Sequence, residues 1–218
     1  MKLIVHLRPK RFDIYSVLAL AGIVGPIVLV LTDTIASLYT PGYKPIQESG
    51  SQLAFGPMRW VQATGFILFG LLLVMFAMGL YSSIHKHAGL RASISIFMFF
   101  GFSLFIIGAI PTDPTGAPHT IHGIIHVGVA IVNTALSPIT FFLIAPSLRA
   151  DPRWENLFVY TVLTGVLATV FTVGRLFLPA ELSWFGLYER ILTAYSIIWL
   201  EAMAIRLLRL SQRDRLKP

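Results

Sequence analysis

Residues 111–126 read PTDPTGAPHTIHGIIH, and they join two long apolar runs. His119, His122 and His126 stand at i, i+3 and i+7, so on a helix they share one face within an arc of roughly 60°. The run that follows is apolar enough to cross a bilayer. That places His126 about 10 Å further along the helix axis than His119, inside hydrocarbon. Ionisable groups at such depth are costly to bury, so the stretch marks a candidate functional site as well as a connection between two spans.

Working outward, the apolar runs decide the fold. Six segments qualify by length and polarity as transmembrane helices, at 12–39, 58–84, 90–110, 119–148, 154–178 and 184–210. The runs are continuous, without the alternating polar positions that a lipid-facing barrel needs. Proline and glycine punctuate the joints at Pro41-Gly42, Pro57, Pro111, Pro114, Pro118, Pro152 and Pro179. Pro26 and Pro138 fall inside spans and predict kinks. The expectation is an all-α, polytopic membrane protein, a single six-helix domain over residues 1–218.

Composition agrees. Of 218 residues, 56% are hydrophobic and 12% charged, and the mean hydropathy is +0.76; soluble domains carry about 25% charged residues. The absence of cysteine excludes disulfides, thiolate metal sites, iron–sulfur clusters and cysteine nucleophiles. A basic start followed by an apolar run resembles a signal peptide. The run from 15 to 31 is long, however, and no small-x-small site follows, so a retained first span is expected.

Lysines and arginines set the orientation. Lys2, Arg8, Lys10 and Arg11 precede span one, Lys86 and Arg91 separate spans two and three, and Arg149 and Arg153 separate spans four and five. Arg206, Arg209, Arg213, Arg215 and Lys217 close the chain. All lie on one side, which predicts that the protein crosses a cell membrane with both termini facing the cytoplasm. The basic C-terminal helix end would rest on anionic headgroups. The charge of +7 is thereby accounted for by membrane lipids as partners, without nucleic acid.

The opposite side carries the chemistry. The first outer loop reads TPGYKPIQESGSQLAFGP over 40–57 and brings Glu48, Ser49, Ser51 and Gln52; the second brings Asp113, and the third Glu181. Asp33, Arg59, Gln62, Arg175, Glu189 and Arg190 lie within about two turns of the outer span ends. Glu201 is deeper, with Arg206 as a neighbour.

The motifs PGYKP, SQLAFGP, the Trp60–Gln62 entry to span two, GAIPTDP, HTIHGIIH and the Gly186–Arg190 entry to span six resemble, in order and placement, those of a six-helix prokaryotic membrane family, domain of unknown function 998 (DUF998). The resemblance runs over most of the chain. It implies six membrane helices and brings no catalytic assignment, so the residues must be read for themselves.

His122 and His126, at i and i+4, have the spacing of a two-nitrogen metal half-site, with Asp113, Glu48 or Asp33 as oxygen donors to a divalent ion such as zinc. The competing reading is interhelical hydrogen bonding of the same histidines. Haem is not expected: the membrane histidines sit on one helix, and His6, His85 and His87 fall on the cytoplasmic side. Asn133 and Ser137 continue the histidine face toward Pro138, as a solute path or as helix-bridging polar groups. Arg175 with Glu189, and Arg190 with Asp33 or Asp113, are candidate ion pairs, or else grips for an anionic headgroup. Glu48 beside Ser49 and Ser51 is a weak acid–serine signal.

Gly65, Gly70, Gly165 and Gly174 predict close helix packing. Trp60, Trp154, Trp184, Tyr39, Tyr43 and Tyr188 predict interface anchors. The functional expectation is an outer polar pocket that binds, and acts on, a lipid or other amphipathic molecule. Asp113, His122, His126 and Glu48 would be the reacting groups, and Asp33, His119, Arg175, Glu189 and Arg190 the binding groups. A solute or proton-coupled transporter and a non-catalytic envelope assembly partner are the rival classes.

Overall fold

The computed structural model describes residues 13–85, 87, 89–114, 116–178 and 182–214. Lys2, His6, Arg8, Lys10, Arg11, Lys86, Pro179, Glu181, Arg215 and Lys217, singled out above, lie outside the described residues. The helices are α1 (Ile14–Leu38), α2 (Arg59–Ser83), α3 (Leu90–Ala109), α4 (Ile121–Ala150), α5 (Phe158–Gly174) and α6 (Phe185–Asp214). Short 3-10 turns occupy Gly50–Phe55, Glu155–Leu157 and Arg175–Phe177. No strand occurs among the described residues.

Six helical segments are long and apolar enough to cross a membrane, which makes this a multi-pass membrane protein. At 1.5 Å per residue, the 25 residues of α1 reach about 37 Å, beyond the roughly 30 Å of a hydrocarbon core. Large apolar side chains such as Ile121, Leu176 and Phe177 point outward, which suits a lipid solvent and not water.

Local chemistry starts and stops the helices. Asp13 caps α1, its carboxylate accepting from Tyr15 N at 3.4 Å. Thr120 caps α4, its hydroxyl accepting from Gly123 N at 3.1 Å. That cap starts α4 at Ile121, two residues later than the apolar pattern suggests. Both α1 and α4 run through their internal prolines, Pro26 in α1 and Pro138 with Pro146 in α4.

Sequence neighbours pack side by side from α1 to α5, and α6 returns against α1, so the helices form a ring. The α5–α6 contact is the sparse joint. At the α2–α3 crossing a Cβ on Gly101 would stand 2.7 Å from the Gly70 carbonyl, so only glycine permits that approach. Gly65 likewise abuts Thr32, and Gly165 abuts Phe141. Gly174 is a correction: nothing lies within 4 Å of where its Cβ would be, so it packs against no helix.

Trp199 of α6 is the hub of the core. It stacks on Phe97 of α3 (5.5 Å between centroids), meets Phe141 of α4 edge-on at 5.1 Å, and donates from Nε1 to Thr161 Oγ1 of α5 at 2.9 Å. A buried indole that finds a partner for its N–H unites four helices here. Two predicted interface anchors prove to be core residues. Trp154 is 0% exposed, folded under the α4–α5 turn by its backbone bond to Asp151 O, and Tyr188 is buried with its hydroxyl on Phe171 O at 2.6 Å. Trp60, Trp184 and Tyr39 are exposed, as anchors are.

The end of the bundle that carries the α2–α3 and α4–α5 turns is tied by Asp151, whose side chain is 1% exposed. Its carboxylate accepts from Arg153 N (3.0 Å), Arg153 Nε (3.1 Å), one Arg153 Nη (2.8 Å) and His85 N (3.0 Å). The same Arg153 donates to Ser83 O at 2.6 Å, and Arg206 Nε donates to Arg153 O at 2.6 Å. One carboxylate thus joins α2, α4 and α6. Burial pushes this carboxyl up, but the arginine and backbone donors outweigh it and hold it at about 2.

Candidate functional site

The connections 39–58 and 110–120 and the start of α6 share the other end of the ring, and the first of them folds over it. Three features dock this loop. Leu53 is fully buried. Gly186 has no Cβ, which would collide with the carbonyls of Pro45 and Glu48. The first amides of α6 find loop acceptors, Leu187 N on Ile46 O at 3.0 Å and Gly186 N on Gln47 O at 3.3 Å. These bonds satisfy orphan donors of a helix start.

One turn along α6, Arg190 holds the loop to two helices. One Nη donates to Pro45 O (2.7 Å), Gly186 O (3.2 Å) and Glu48 O (3.3 Å). The other donates to Tyr43 Oη (2.9 Å) and Asp33 Oδ2 (3.2 Å). Gln62 of α2 adds a long contact to Asp33 at 3.4 Å. Glu189 accepts from the Gly50 amide. Burial pushes the Tyr43 phenol up against the opposing pull of Arg190, so it stays a neutral donor and reaches Ser49 O at 2.9 Å.

The second cluster gathers around α4. Asp113 accepts from Thr120 Oγ1 at 2.7 Å and from Thr120 N at 2.9 Å, and these two bonds hold its carboxyl below the usual range. The carboxylate lies against Gly123, where any Cβ would strike it. His126, 3% exposed, is engaged on both sides: Nδ1 with Ile110 O at 2.7 Å and Nε2 with Ser51 Oγ at 2.9 Å. A carbonyl only accepts, so Nδ1 carries the proton and Nε2 is the acceptor. Gln52 Nε2 donates to Asp113 O at 3.1 Å. The 3-10 turn Gly50–Phe55 therefore serves both clusters, through Gly50 on one side and through Ser51 and Gln52 on the other.

In the middle of the ring lies a cavity of about 240 Å³. Phe66, Phe69, Leu104 and Trp199 border it, with Asn133 and Ser137 as a polar strip from α4. Asn133 Oδ1 accepts from Ser103 Oγ at 2.8 Å, and Ser137 hydrogen-bonds Tyr195. The polar seam expected along α4 thus faces a void and α3 and α6 across it. Among the described residues, no acid, histidine or arginine lines this cavity.

A family model described as Protein of unknown function (DUF998) matches residues 23–206, from α1 into α6. The chain belongs to the DUF998 family. No curated protein and no solved structure matches it. The matched span of this DUF998 protein contains both clusters and the cavity.

Against expectation from sequence, the ionisable residues divide. Asp33, Arg190 and Glu189 meet at the loop. Asp113 and His126 each take a loop side chain near the start of α4: Gln52 bonds the Asp113 backbone carbonyl, not its carboxylate, and Ser51 bonds His126. His122 is exposed, one helical turn before the buried His126 on α4, and has the Asp113 carboxylate as a charged neighbour. His119, with its side chain 87% exposed, stands 3.9 Å from Asp113 at the surface. Among the described residues no three histidines or carboxylates converge as metal ligands. Arg175 donates to Leu178 O at 3.4 Å and lies 5.8 Å over the Phe185 ring. Glu48 turns its carboxylate toward Lys44 N at 3.5 Å and offers Arg190 only its carbonyl. Ser51, paired by sequence with Glu48, is bound to His126 instead.

Proposed function

We propose that this DUF998 protein binds a lipid or similarly amphipathic molecule. The apolar part would occupy the central cavity, and the polar part would be oriented by the α4 strip and the loop-covered end. The observation that supports this is the cavity itself. Its volume is about 240 Å³, and its wall is largely aromatic and aliphatic with Asn133, Ser137 and Tyr195 as convergent polar groups. Sites for small molecules have this build, apolar walls with few polar atoms placed to orient the guest. Dry apolar cavities of about 150 Å³ already accept a benzene-sized guest. By the distribution of basic residues, the covered end faces away from the cytoplasm, so the ligand would come from the outer leaflet.

Extraction of detergent-purified protein and mass spectrometry of the extract tests this reading. The expected result is one lipid class enriched over the host membrane at near-stoichiometric amount. It should be lost in Ser137→Phe and in Leu104→Trp, two independent fillings of the cavity, while the helical circular-dichroism signal persists. Bulk membrane composition in the wild-type extract, or retention of the enriched lipid in both filled variants, would overturn it.

A further inference from the structure

We propose that Ser51 and His126 form a nucleophile–base pair for acyl transfer, acting on an ester or other activated acyl group. The choice of a lipid-borne ester as substrate rests on the ligand reading above; the pair itself does not. Its parts are in place without rearrangement. The Ile110 carbonyl fixes the His126 proton on Nδ1 at 2.7 Å. That leaves the Nε2 lone pair directed at Ser51 Oγ, 2.9 Å away. Nucleophile, base and an orienting acceptor behind the base are the three elements that activate a serine.

Two further observations favour chemistry over a simple tie. The loop is already fastened by Leu53, Gly186, Gln52 and Arg190, so docking does not require the histidine. Ser51 is only partly buried, whereas the base behind it is shielded from water. His126 stands five residues into α4, about 8 Å from its start, near the depth where headgroups give way to acyl chains.

In the step, Ser51 Oγ bonds to the acyl carbon as its proton passes to His126 Nε2. The tetrahedral intermediate then collapses, breaking the carbon–oxygen bond to the alcohol, and His126 protonates the departing oxygen. Water, deprotonated by the same nitrogen, hydrolyses the acyl-serine and restores the pair.

The test is a fluorophosphonate probe applied to full-length protein in nanodiscs, with peptide mass spectrometry locating the adduct. Phosphonylation at Ser51 is expected. It should vanish in Ser51→Ala, remain in Ser49→Ala, and slow at least tenfold in His126→Gln, since a general base contributes about 10²–10⁴. Ser51→Ala should keep its helical circular-dichroism signal and co-purified lipid, so loss of labelling is separable from loss of fold or of the cavity ligand. An unlabelled wild type that still retains lipid, or labelling unchanged in Ser51→Ala, would overturn the pair. Labelled protein without enriched lipid would instead sink the cavity reading and leave the pair standing.

Discussion

Arg190 is the group whose removal should be felt furthest through the covered end of the bundle. Its three shorter bonds, to Pro45 O at 2.7 Å, Tyr43 Oη at 2.9 Å and Asp33 Oδ2 at 3.2 Å, link α6 to the first loop and to α1. Hydrogen bonds to charged groups contribute about 1.5–3 kcal/mol each; at the low end, three of them give a gross loss of about 4.5 kcal/mol in Arg190→Ala. Water offsets part of this, because the Arg190 and Asp33 side chains are 29% and 26% exposed, and exposed pairs are screened. A net local destabilisation of about 2–3 kcal/mol follows, read as an opening free energy of the loop and the first turn of α6. At 1.4 kcal/mol per decade, hydrogen exchange at Leu187 N and in the 40–50 segment should accelerate roughly 30- to 150-fold. Arg190→Lys keeps the charge but not the fork, and should recover less than half of the protection. Exchange in the opposite-end turn at 84–90 should not change. If Arg190→Ala leaves exchange at Leu187 within threefold of wild type, the loop is held by something else, and the account of this cluster is wrong.

The other tests probe opposite ends of the bundle. The Asp151 carboxyl is held at about 2, below its ordinary 3.8. Its contribution is therefore complete above about pH 4 and is lost as pH falls through about 2. Asp151→Asn should cost no more than about 2 kcal/mol at neutral pH, screening through the exposed Arg153 included, and should flatten the acid limb of unfolding between pH 4 and 2; an unchanged limb would count against the assignment. The chain has no native cysteine, so single replacements report sidedness directly. Ile46→Cys should react with an impermeant maleimide on intact cells and Asn156→Cys only after lysis; the reverse pattern would invert the orientation.

Hydropathy and length are local properties, and the helices they predict are the helices present. The first apolar run ends within a residue of Leu38, and the last extends to Asp214, a few residues beyond the apolar pattern. What depends on tertiary packing was less legible. Trp154 has the composition of an interface anchor, yet the turn held by Asp151 folds it inward. Gly174 has the type but not the neighbour that close packing needs. The Arg190–Asp33 pair was one of two options, and Gly186 decides between them by letting the Pro45–Glu48 backbone lie on α6. Ser51 and His126 are 75 positions apart, and no periodicity joins them. The burial of Leu53, with the Gly186 and Arg190 contacts, seats the loop so that the hydroxyl meets the ring.

That turn also explains why so much polarity is tolerated at one end of an apolar bundle. A charge near hydrocarbon persists when it is paired and hydrogen-bonded, and here the Arg190 cluster uses the loop backbone to complete the pairing. Pro45 and Glu48 carbonyls share Arg190 with Asp33, and the Gly50 amide serves Glu189. His126 is handled differently. Between a carbonyl and a hydroxyl it has no charged partner within bonding distance, so the geometry keeps it neutral with one lone pair committed to a serine. A histidine retained only to satisfy Ile110 O would need one nitrogen, and an asparagine or a serine could donate as well. The second nitrogen, directed at a partly exposed hydroxyl, is the feature that the serine–base reading uses.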